Sequence, residues 1–128
     1  LARFVHSARI TVDELRERLA SEPVPMVVDV GSTLAHQSRP HIRGAALMDL
    51  DRIAREVARF PSDREIVFYC ACPNEESSKR AAQILLAKGF TRVRPLIGGI
   101  DAWLAVGGEV EHGMPMTFVR DAASAGAR

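Results

Sequence analysis

Two short runs of apolar β-formers, Met26-Val27-Val28-Asp29-Val30 and Ile66-Val67-Phe68-Tyr69-Cys70, constrain this chain most. Neither alternates apolar with polar residues, as a strand with one wet face would. Near-continuous runs of this length belong to strands covered on both faces, the condition of parallel sheets in α/β proteins. Gly31 and Ser32 break the first run, and the second ends at Cys70.

The stretches between them read mostly as helices. Arg9-Ile10 is a short strand leading to a helix that opens on Thr11 and Glu14, the T-x-x-E capping box. Val12, Leu15 and Leu19 give that helix one apolar face, and Pro23 and Pro25 close it. Thr33 to Gly44 has no clear period; with His36, Arg39, Pro40, His41 and Arg43 it reads as a loop. Ala45-Ala46-Leu47 is a short strand. Leu50, Ile53, Ala54 and Val57 trace a second amphipathic helix ending before Pro61, and Pro61-Ser62-Asp63 is a turn. A third helix runs through Ala81, Ile84 and Leu85 and stops at Gly89 as the C′ residue. Arg92 to Leu96 is another strand, and Gly98-Gly99 leads into a last helix with Trp103, ended by Gly107-Gly108. Strands alternating with helices predict a mostly parallel sheet with helices on both faces, its sites at the carboxyl ends of the strands. Cys70 and the Asp29–Gly31 segment both fall there.

At 128 residues the chain suits one domain, expected over 1–111, with a small, polar, Gly/Pro-rich tail or linker over 112–128. With 47% hydrophobic and 26% charged residues, the disordered and fibrous classes drop out. A net charge of +1 gives no footprint for nucleic acid or acidic lipid. No apolar run approaches the ~20 residues of a bilayer-spanning helix, and no signal-peptide pattern opens the chain. Leu1 in place of a starting Met points to a domain cut from a longer protein.

Cys70 and Cys72 are the only cysteines. A bridge between them would close a small, strained ring and staple nothing distant, so free thiols and a reducing compartment, the cytoplasm, are expected. Two thiols without a framework role point to reactivity. A metal site from Cys70, Cys72 and His36 or His41 would need four converging ligands, and C-x-C is a poor zinc spacing, so no metal is expected.

Several segments in order carry a family resemblance. Val27-Val28-Asp29-Val30, His41-Ile42-Arg43-Gly44-Ala45, Ile66-Val67-Phe68-Tyr69-Cys70, Ala81-Ala82 through Gly89-Phe90, and Leu96-Ile97-Gly98-Gly99-Ile100-Asp101-Ala102-Trp103 together resemble the signatures of rhodanese domains, from about Arg9 to Glu111. The resemblance implies a five-stranded parallel sheet wrapped by helices. It also implies a catalytic cysteine that takes a sulfane sulfur from a small donor, thiosulfate or a persulfide, and passes it to a thiol or cyanide. Cys70 is then the nucleophile. Ala71, Cys72, Pro73, Asn74, Glu75, Glu76, Ser77 and Ser78 form its cradle, and Asp29, His41 and Arg80 support it. Asp29 is expected to organise loop amides and His41 to order its loop by hydrogen bonding, while Trp103 anchors the last helix. A loop of backbone N–H groups at a helix N-terminus favours thiolate over thiol and receives negative charge. The Cys-Ala-Cys-Pro-Asn-Glu loop also resembles that of bacterial rhodanese modules attached to DedA-type membrane proteins, which implies tethering to the cytoplasmic face through a larger chain.

The loop departs from the family pattern, with two acids and neither the usual arginine nor the usual central glycine. Carboxylates near a thiolate raise its pKa and repel an anionic donor; Lys79 and Arg80, one turn on, are the nearby cations. Strand register selects Cys70 as the nucleophile, whereas counting back from Gly89-Phe90 selects Cys72, which is otherwise a resolving thiol. Phosphatase chemistry on this fold needs an arginine in the loop and is set aside. Two other readings stand beside sulfur transfer: a non-catalytic binding or regulatory module, and a Cys70/Cys72 redox sensor.

Overall fold

The computed structural model describes residues 9–31, 39–71 and 75–112. Its centre is a parallel sheet in the order β3-β1-β4-β5, built from β1 (Met26–Asp29), β3 (Ala46–Leu47), β4 (Ile66–Tyr69) and β5 (Val93–Pro95). Every residue of β1 and β4 is buried, as their unbroken apolar runs require. The register pairs Asp29 with Tyr69, so both strands end at the same level and Cys70 follows directly at that edge.

The expected fifth strand is reduced to one residue. Ile10 makes an isolated parallel bridge to Leu96: its N–H donates to Pro95 O at 2.9 Å, and its carbonyl accepts from Ile97 N at 2.9 Å. A separate antiparallel pair joins β2 (His41–Ile42) to β6 (Val110–Glu111). This corrects the loop reading of 41–42. Two-residue strands have no room to show a period, and their partner lies far along the chain.

Among the described residues four α-helices cover both faces of the sheet. α1 (Val12–Leu19) opens on the expected capping box, with Glu14 N–H donating to Thr11 Oγ1 at 3.1 Å and Thr11 N–H reaching Glu14 Oε1 at 3.5 Å. α2 (Leu50–Arg55) is shorter than its apolar spacing suggests, because the chain tightens into a 3-10 turn over Val57–Arg59. That turn delivers Phe60 into the core, edge-on to Phe68 with ring centroids 5.9 Å apart. α3 (Glu76–Ala87) ends in a Schellman motif: Phe90 N–H donates to Leu85 O, and Gly89 N–H, at φ 100°, to Leu86 O. α4 (Gly99–Ala105) is pinned by Trp103, which is buried and donates from Nε1 to Glu109 O at 2.9 Å. Among the described residues no helix is long and apolar enough to cross a membrane.

Candidate active site around Cys70

β4 hands the chain to Cys70, which is 4% exposed and belongs to the core under α2 and α3. Its backbone is held from the other side. Gly99, with φ 57°, lies so close that a Cβ there would collide with the Cys70 carbonyl oxygen. The Gly98-Gly99 pair is therefore required twice, for left-handed backbone and for this close approach. Gly98 has φ 80° and forms the N-cap of α4.

Cys70 is in the disulfide-bonded state. The only other cysteine of the chain, Cys72, lies outside the described residues, as do Pro73 and Asn74. The expectation of two free thiols is thereby corrected. The sequence argument weighed only the strain of a small ring.

The rest of the expected cradle is partly assembled. Ala71 is exposed. Glu75 caps α3 with a left-handed backbone, φ 58° and ψ 32°. Its carboxylate engages Arg9 Nη1 at 2.9 Å and Gly98 N–H at 3.1 Å. Glu76 is exposed in the first turn, where an acid suits the helix dipole. Ser77 is half-buried, and Ser78 is fully buried with its hydroxyl donating to Glu75 O at 3.0 Å. Arg80 is exposed on α3. Lys79 instead lines a groove of about 450 Å³ between α3 and β5, which it shares with Arg9, Gln83 and Leu86.

Asp29 closes β1, nearly buried, beside the Tyr69 phenol. Tyr69 is the polar hub of this edge: it accepts from Ile42 N–H at 2.9 Å and donates to the Asp29 carboxylate. Burial first, and then the negative charge of Asp29, push the phenol far above its ordinary pKa, so it stays a neutral donor. Asp29, Gly31, Arg39, Tyr69 and Ala71 are among the residues lining a notch of about 30 Å³, room for little more than a water. Arg39 and Ala71 thus border the same notch.

His41 stands differently from expectation. It is 1% exposed in β2, and neither ring nitrogen makes a hydrogen bond among the described residues. Nε2 lies 3.5 Å from Glu111 Oε1 on β6. Pairing of β2 with β6, rather than a ring hydrogen bond, orders this segment. His41 does not itself line the notch beside Ala71, although Pro40 before it does. Among the described residues no cluster of three or more His, Cys, Asp or Glu is placed to hold a metal ion.

Sequence reasoning missed three contributors. Tyr69 reads as one more apolar strand residue; its hydroxyl at the strand's carboxyl end was the available signal. Arg39 sits in an aperiodic loop that gives no clue to what it faces. Glu75 reads as a charge close to the thiol, whereas its carboxylate is turned to Arg9 and Gly98.

A parallel α/β domain with a cysteine at the carboxyl end of a central strand, seated against a double-glycine turn, defines the class. The family model for the rhodanese-like domain matches residues 11–106, and the chain belongs to this family. It is 31% identical over 107 residues to a protein of Allochromatium vinosum named "Sulfurtransferase", covering 84% of this chain and 92% of that one. Among solved structures, the Alr3790 protein of Anabaena sp. superposes with a TM-score of 0.70 at 31% identity, covering 80% of this chain and 82% of that one. The BH2092 protein of Bacillus halodurans gives 0.73 at 28% identity, covering 87% and 81%.

Proposed function

We propose that this domain moves sulfane sulfur through a persulfide on Cys70. The observation that supports this best is the seat of Cys70, at the end of β4 with its carbonyl against Gly99 and with α3 starting six residues on. A helix N-terminus and loop amides at that point favour the thiolate. The reduced thiolate attacks the outer sulfur of thiosulfate; the S–S bond breaks, and sulfite leaves with the electron pair. From a low-molecular-weight persulfide, a thiolate leaves instead. An acceptor thiolate or cyanide then attacks the outer sulfur of the enzyme persulfide and releases the Cys70 thiolate. No metal or organic cofactor enters these steps. Arg39 is the cation at hand for an anionic donor. A reducing compartment such as the cytoplasm keeps the thiol available.

The disulfide-bonded state of Cys70 favours a second reading, a thiol pair that senses oxidant. Incubating the reduced protein with thiosulfate, and separately with a persulfide, separates the two by intact mass. One sulfur gained, and lost only in Cys70→Ser, is the result expected for transfer. Loss only in Cys72→Ser moves the role to Cys72. No gain from either donor, with both thiols lost together under mild oxidant and restored by reductant, leaves the redox reading in place.

A further inference from the structure

Glu75 is the only non-glycine residue with positive φ among those described. A side chain there costs energy that glycine would not, so its surroundings must hold it in place. They do so through both carboxylate oxygens, Oε1 on Arg9 and Oε2 on the Gly98 N–H, with the side chain 13% exposed. Gly98 adjoins Gly99, which rests on the Cys70 carbonyl. One carboxylate thus ties together the N-terminal segment, the start of α3 and the turn beneath Cys70.

We propose that Glu75 is a positioning residue for the Cys70 loop, with Arg9 as the counter-charge that keeps it electrically silent toward the thiolate. The inference rests on reading Cys70 as the sulfur acceptor. It also explains how a residue other than glycine keeps the left-handed backbone at position 75. The hydrogen bonds to Arg9 and Gly98 hold the conformation, and the ion pair removes the repulsion that a bare acid would exert. The other charged groups on the elements meeting here are Asp29, Arg39, Glu76, Lys79, Arg80 and Asp101, all left unchanged by the test.

The test is the pH dependence of iodoacetamide alkylation of the reduced full chain, in a Cys72→Ser background so that only Cys70 reacts. Arg9→Met exposes the carboxylate and should raise the thiol midpoint; Glu75→Gln frees the guanidinium and should lower it, each by about half a pH unit or more. Arg9→Met/Glu75→Gln should return the midpoint close to the parent. A merely structural clamp would move both single variants in one direction. That result, or no movement in either, overturns the proposal. Should Glu75→Gln fail to fold, by circular dichroism, Arg9→Met decides alone, because Arg9 is partly exposed and its midpoint must still rise. A parent protein that gains no sulfur would sink the transfer reading while leaving these alkylation midpoints meaningful, so the two failures are distinguishable.

Discussion

The two faces of the sheet are built differently. Ile66, Phe68 and Cys70 point toward α2 and α3 into an apolar cluster with Ile53, Ala81, Ala82 and Leu85. Val67 and Tyr69 point toward α1 and α4, where Ile100 and Trp103 pack. On that side the phenol and the indole each hold a backbone group, Ile42 N–H and Glu109 O. The first face holds its geometry by volume, the second by directed hydrogen bonds. Cys70 belongs to the hydrocarbon face, but its carbonyl lies against Gly99, and Glu75 accepts from Gly98 N–H, both on the α4 side. The Cys70 side chain thus sits in soft packing, while its backbone carbonyl meets the more polar framework.

The largest effect should come from emptying the hydrocarbon face. Phe68→Ala, at a fully buried position in contact with Phe60, is expected to cost about 3–5 kcal/mol in chemical denaturation. A loss below 1 kcal/mol would mean that this face is not held by volume. Gly99→Ala attacks the link between the faces. A positive φ and a collision with the Cys70 carbonyl should together cost roughly 2–4 kcal/mol and alter the Cys70 alkylation rate. An unchanged rate would separate Cys70 from the glycine turn.

Tyr69→Phe keeps the ring and deletes the hub, leaving the Ile42 N–H without its acceptor. The expected cost is about 1–3 kcal/mol. The same variant sharpens the comparison through pH. Burial and the nearby Asp29 carboxylate hold the folded-state pKa of Tyr69 above the ordinary phenol value of 10.0, so the unfolded chain loses this proton first. The Tyr69 contribution is therefore whole below about pH 10 and declines as pH rises above it. Denaturation at pH 9 and pH 11 should show a fall in the parent that is smaller in Tyr69→Phe; equal falls would remove Tyr69 as the cause. The smallest effect is expected for Trp103→Phe, about 1 kcal/mol for the lost bond to Glu109 O, read as a lower denaturation midpoint.

Most of the fold was legible because its main elements are local. Continuous apolar runs fixed β1 and β4. Thr11 with Glu14 marked the start of α1, and Gly89 marked the end of α3. The pairing of β2 with β6 was not legible, because each is two residues long and its partner is remote in sequence. α2 failed for a related reason, since the helical spacing runs on to Val57 while the core requires Phe60 to turn inward. In the site, Cys70 was readable from the end of its strand and the Gly-Gly pair from its place before a helix. The direction in which the Glu75 carboxylate points, and the pairing of Tyr69 with Asp29, were not.

By itself, the sequence determined the parallel α/β architecture, its two covered faces and a cysteine at the carboxyl edge. These follow from burial periodicity and capping, which act over a few residues. Only the tertiary structure decided that Glu75 faces Arg9 and Gly98, that Arg39 joins the notch, and that Gly99 rests on Cys70. Those contacts join segments separated by tens of residues, and a side chain's electrostatic effect depends on what it touches rather than on what stands beside it in the chain.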